Sequence, residues 1–78
     1  MNIEQWIAFA ESGNQQRLST HSGQQFQGWV IEITDEQLLI STGDGERGLE
    51  TWITLTDIAL DSLRFFDTKT RQWQAFQG

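Results

Sequence analysis

Apolar residues follow two rhythms along this chain. Near the N-terminus they recur with helical spacing: Ile3, Trp6, Ile7 and Ala10 form one stripe, with Phe9 off its centre. Asn2 is a good N-cap, Gln5 three residues on makes an approximate capping box, and Glu4 lies where the helix dipole favours an anion. Gly13 supplies a stop. The spacing predicts a helix over residues 2–12. A helix this short is marginal alone and must dock, either over the end of the strands that follow or onto a partner.

Beyond residue 15 the rhythm shifts to alternation and short runs of β-branched and aromatic residues. A short strand is expected over 17–20, with Leu18 inward. A turn follows at His21-Ser22-Gly23-Gln24, where Gly23 is free to take positive φ. Residues 25–34 read as a long central strand. Four of its five positions from Trp29 to Ile33 are apolar, so both faces there want cover. Gly28 in its interior signals a bend or a close backbone approach. Regular pairing puts Trp29, Ile31 and Ile33 on one face and Val30 on the other, unless a bulge near Glu32 changes the phase. Asp35-Glu36 makes the turn into a strand over 37–42.

The second half continues in the same rhythm. Gly43-Asp44-Gly45-Glu46-Arg47-Gly48 reads as a solvated hairpin loop. It has no Lys-Ser/Thr for a phosphate cradle, and its acids lack the spacing of a calcium loop. A strand over 49–55 alternates Trp52 and Thr54 with Ile53 and Leu55. Thr56-Asp57-Ile58-Ala59 makes a tight helical turn, with Thr56 capping and Ile58 inward. Strands over 60–66 and 71–76 enclose a turn at 67–70, and Trp73 packs together with Ala75 or Phe76. The pattern predicts a mainly β chain: one domain over 1–78, a helix at 2–12, a small antiparallel barrel of five to six strands at 16–66, and a C-terminal hairpin at 60–76.

Composition narrows the functions. With no cysteine, neither a disulfide nor a thiolate metal site can staple so short a chain. Four Trp and five Phe partly compensate, and oligomerisation is another remedy. Eleven acidic against five basic residues give a net charge of −6, which repels polyanions and argues against generic DNA or RNA binding. No apolar run approaches the ~20 residues of a membrane span, and no signal peptide is read, so the expected location is the cytoplasm. The ten glutamines read as neutral solvated positions.

Gly28-x-Val30-x-x-Ile33, then Asp35, then Leu38-x-Ile40, resembles the small barrels of the Sm-like and SH3-like class. After the glycine-rich loop, Trp52-Ile53-Thr54-Leu55-Thr56-Asp57-Ile58 looks like the strand and helical turn that close such barrels, as in the C-terminal domain of the RimP ribosome maturation factors. The resemblance covers roughly residues 15–66. It implies a barrel capped by the N-terminal helix, with ring or dimer assembly. It does not imply the family's RNA site. The Asn with which Sm proteins read uracil-rich RNA falls near Leu38 here. The later Arg-Gly pair is missing from residues 52–58, and the Lys-His element of Hfq is absent.

Chemistry is sparse. Catalysis needs a nucleophile, a base or a metal within reach of one another. His21 is the only histidine, and its neighbours Ser19, Thr20 and Ser22 do not make a triad by adjacency. The chain is therefore expected to be non-catalytic, with no cofactor and no metal. Binding is better supported. Arg64, Lys69 and Arg71 cluster around the last hairpin, interleaved with Phe65, Phe66, Trp73 and Phe76. Trp and Arg are favoured interface anchors, and the same set suits single-stranded nucleic acid. Trp52, Arg64, Arg71, Trp73 and Phe76 are the candidate binding residues. The negative charge puts a protein partner or a second copy ahead of RNA, with DNA and membrane excluded.

Overall fold

The computed structural model describes residues 1–43 and 49–77. The predicted loop at 43–48 lies, apart from Gly43, outside the described residues.

Helix α1 (Ile3–Ala10) opens the chain. The capping box is complete: the Gln5 N–H donates to Asn2 Oδ1 and the Asn2 N–H to Gln5 Oε1, both at 2.8 Å. The helix is rotated relative to the expected stripe. Phe9 is fully buried and Trp6 nearly so, whereas Ile3 and Ile7 are exposed. The chain then leaves through Gly13 at φ +58, whose Cα approaches the Phe66 carbonyl so closely that a Cβ would collide with it. Trp6 and Phe9 join the core, and Ala10 packs against it.

Among the described residues six strands follow: β1 (Gln16–Ser19), β2 (Gln25–Ile33), β3 (Gln37–Ser41), β4 (Glu50–Thr54), β5 (Arg64–Asp67) and β6 (Gln72–Ala75). All pairings are antiparallel, and they form one sheet in the order β4-β3-β2-β1-β5-β6. The expected strand over 60–66 is shorter than its pattern suggested. Tight 3₁₀ turns occupy Leu55–Asp57 and Leu60–Ser62, and β5 begins only at Arg64. The Ser62 hydroxyl explains the second turn: it donates to Ala59 O at 2.6 Å and accepts the Ser19 N–H at 2.8 Å.

Strand β2 is shared. Its first part pairs with β1, from Gln25↔Ser19 to Gly28↔Gln16, and its second part pairs with β3, from Trp29↔Ser41 to Ile33↔Leu38. Gly28 is the corner. A Cβ there would overlap the Ser41 carbonyl, so the close approach expected of this glycine is met. A bulge between Val30 and Glu32 then shifts the phase. Because of it, Val30 and Ile33 both face the core, while Trp29 and Ile31 point outward and are exposed. The expectation that both faces of Trp29–Ile33 are covered is corrected accordingly.

The core lies between α1 and the inner face of the curled sheet. Phe9, Leu18, Leu38, Ile40, Ile58 and Leu63 are fully buried, and each contributes about 1.5–3 kcal/mol of apolar burial. Gln16 is buried among them and corrects the reading of the glutamines as uniformly solvated. Its Nε2 donates to Ser12 O at 2.6 Å and its Oε1 accepts the Val30 N–H at 2.9 Å. The side chain thus ties the end of α1 to β2 just beyond the point where β1 stops pairing. The sheet does not close into the expected barrel. Beyond β4 the chain reaches β1 by a single bridge, Thr20↔Ile58, supported by His21 N to Asp57 O at 2.8 Å and Ala59 N to Ser19 O at 2.9 Å. The 3₁₀ turn at Leu55–Asp57 interrupts β4 before a ladder can form, so the result is an open six-stranded sheet.

Candidate functional site

The two faces of the sheet differ in character. The inner face packs on α1. The register places Trp29, Leu39, Trp52, Arg17, Arg64, Phe66 and Trp73 on the outer face, because each alternates along its strand with a neighbour whose side chain points inward, and directly paired residues such as Leu39 and Trp52 share a face. Three of the four tryptophans are therefore on the outside, and only Trp6 joins the core.

One outer region spans β2, β3 and β4. Leu39 is only 8% exposed, yet it stands outside the core cluster. It is paired with Trp52 on one side and Glu32 on the other, next to the bulged Ile31. Trp52, Trp29 and Ile31 are 45%, 40% and 50% exposed. Three consecutive buried residues, Leu38, Leu39 and Ile40, are the sign of a strand with apolar cover on both sides. Here that outer cover is itself open to solvent. Among the described residues the charges at this region are Glu32 and, opposite Ser41, Glu50; the Asp35-Glu36 turn adjoins them.

The second outer region spans β1, β5 and β6. Arg17, which sequence reasoning did not single out, lies over the Trp73 ring at 4.0 Å from its centroid. Gln27 Oε1 holds that guanidinium, accepting from Nη2 at 2.7 Å and from Nε at 3.1 Å. Phe66 meets the Trp73 ring edge-on at 5.4 Å. Arg17 belongs to a strand more than fifty residues away from Trp73 in sequence, and its only signal was its outward phase beside inward Leu18. Arg64 is half-buried and spends one guanidinium nitrogen on the carbonyls of Asp61 and Leu63, at 2.9 Å each. Arg71 is exposed in the β5–β6 turn at φ 57, where its N–H bonds Asp67 O at 2.7 Å. Phe76 packs edge-on against Phe9 at 5.3 Å and joins the core, not this surface.

The candidate set is thus split. Arg64 and Trp73 sit on one region together with Arg17, Arg71 lies exposed in the turn at its end, Trp52 sits on the other region, and Phe76 is turned away from both. His21 is exposed at the β1–β2 turn, at the rim of two shallow openings of about 400 and 570 Å³. Among the described residues no group of three or more His, Asp or Glu side chains is placed to hold a metal ion. Among the described residues no helix is long and apolar enough to cross a membrane. Comparisons with family models, with curated proteins and with solved structures find no match for this chain.

Proposed function

We propose that the chain is a non-catalytic binding or assembly module that engages a protein partner through the outer face of β2, β3 and β4. The observation that carries this reading is Leu39, buried outside the core beneath exposed Trp52, Trp29 and Ile31. A monomer gains little from placing two large indoles in water, whereas Trp anchors around a desolvated centre are what an interface uses. The element order of helix, short strand, long bent strand, hairpin, 3₁₀ turn and strand supports reading the fold as an open relative of the Sm-like and SH3-like barrels. A cytoplasmic setting goes with this proposal.

RNA binding is the less favoured reading, for a stereochemical reason. The cation that would meet a phosphate, Arg17, is stacked on the ring that would meet a base, Trp73. The paired Trp29→Ser and Trp52→Ser variant tests the proposal. It is expected to keep its fold by circular dichroism and to lose the partners that the parent chain retains on affinity capture. Retention of the same partners would end the reading. An oligonucleotide titration at low salt is expected to give no saturable shift, and salt-sensitive binding there would favour RNA instead.

A further inference from the structure

Strand β4 is an open edge of the sheet. Its bonds to β3 alternate: Leu55 donates its N–H to Glu36 O, and Leu49 O accepts from Thr42. In the register Leu38↔Ile53 and Ile40↔Thr51, the hydrogen-bonded pairs therefore fall on residues 49, 51, 53 and 55. The N–H and C=O groups of Trp52 and the N–H of Thr54 point away from β3, and no turn, loop or side-chain bond among the described residues uses them, whereas the Thr54 carbonyl opens the 3₁₀ turn over Leu55–Asp57. Edges of this kind are ordinarily blunted by Lys, Pro or a bulge. Strand β4 reads Glu-Thr-Trp-Ile-Thr, and its register is unbroken. Beside this edge runs the opening of about 400 Å³, whose far wall is the β1–β2 hairpin through Thr20, His21, Gln24 and Phe26.

We infer that this groove takes a single extended segment of a partner protein as an added strand on β4. The segment carries a basic residue beside Glu50 and an apolar residue two positions away beside Trp52. The inference rests on the protein-binding reading above and supplies its mode. Main-chain bonds to the Trp52 N–H and C=O and to the Thr54 N–H provide the pairing, and alternate side chains provide the selectivity. Glu50 on the outer face and Asp57 at the groove, in a chain of net charge −6, set the sign of the occupant. The hairpin wall sets its form. A lone strand enters between β4 and the hairpin, whereas the edge of a second folded sheet would drive its own neighbouring strands into Gln24 and Phe26.

The probes are a short synthetic peptide repeating lysine-threonine-valine-threonine, which sets a basic and an apolar residue two positions apart on one face, and its counterpart with glutamate in place of lysine, followed by tryptophan fluorescence and amide exchange. The discriminating variant is Thr54→Pro. Thr54 has φ −66 and ψ 128, so proline fits its backbone, and the lost N–H is one that β3 does not use. The lysine peptide is expected to bind, to slow exchange at Trp52 and Thr54, and to bind about tenfold or more weakly to Thr54→Pro. Glu50→Lys is expected to weaken it by about fivefold. Circular dichroism and unchanged exchange protection at Leu39 check that both variants are folded. Absence of binding, equal binding of the glutamate peptide, or undiminished binding to Thr54→Pro each overturns the added strand. So does self-association of the chain with protection at the same amides. If Trp52→Ser abolishes partner capture while Thr54→Pro does not, the outer face remains the binding surface and strand addition alone is wrong.

Discussion

At Gln16, one side chain performs a task usually left to backbone. It accepts the Val30 N–H where β1 has run out and donates to the last carbonyl region of α1. Gln16→Leu keeps the volume and orphans both groups in a buried setting. The expected loss is about 2–4 kcal/mol, read from urea midpoints. Gly28→Ala is expected to cost about 2 kcal/mol or more, because the Ser41 carbonyl that its Cβ would strike belongs to backbone and cannot swing aside. The glycine was legible in the sequence, since a lone Gly inside a strand of β-branched residues has few other uses. The glutamine was not. Nothing in a polar residue between Gln15 and Arg17 tells that its alternate position falls at the junction of helix and sheet.

For whole elements, the strands and turns were legible, but their orientation was less so. The helical stripe through Ile3, Trp6, Ile7 and Ala10 and the stripe through Trp6, Phe9 and Ala10 share two residues, and a helix under three turns lacks the length to separate them. Packing decided it: Trp6 and Phe9 join the core cluster, while Ile3 and Ile7 are left exposed. Phe9→Ala is therefore expected to cost about 3–5 kcal/mol and Ile7→Ala under about 1 kcal/mol, a contrast that thermal melts of the pair will show. In β2 the bulge inverted the expected cover of Trp29 and Ile31. Its possibility was readable near Glu32, but its position depends on which β3 residue each partner meets. In the final hairpin β5 begins only at Arg64, after a 3₁₀ turn at Leu60–Ser62, and the surface differs too: Phe76 turned to Phe9, and Arg17 arrived from a distant strand to take the place beside Trp73.

For the molecule as a whole, closure was the least legible property. The helical turn was readable at Thr56-Asp57, but whether the chain beyond it meets Thr20 by a ladder or, as here, by one bridge was not. The candidate surface suffered similarly. Aromatic residues at strand spacing look the same whether they face the helix or the solvent, and only the count of available inner positions excludes three of the tryptophans. Most native tryptophan emission is accordingly expected to be accessible to a small neutral quencher such as acrylamide. Caesium is expected to quench Trp29 and Trp52 more effectively than iodide, because Glu32 and Glu50 adjoin them. Equal quenching by the two ions in Trp29→Phe, Trp52→Phe and the parent would contradict that charge arrangement.

The division of β2 at Gly28 also bears on how this protein comes apart. The same nine residues end one ladder and begin the other. Stripping β3 and β4 away bares half of β2, and peeling off β1 bares the remainder. Neither side retains a complete hydrophobic layer without its counterpart, since Leu18 and Ile40 share one cluster across the corner. Heat or denaturant thus finds no subunit to release first, and the molecule is left with a single melting transition.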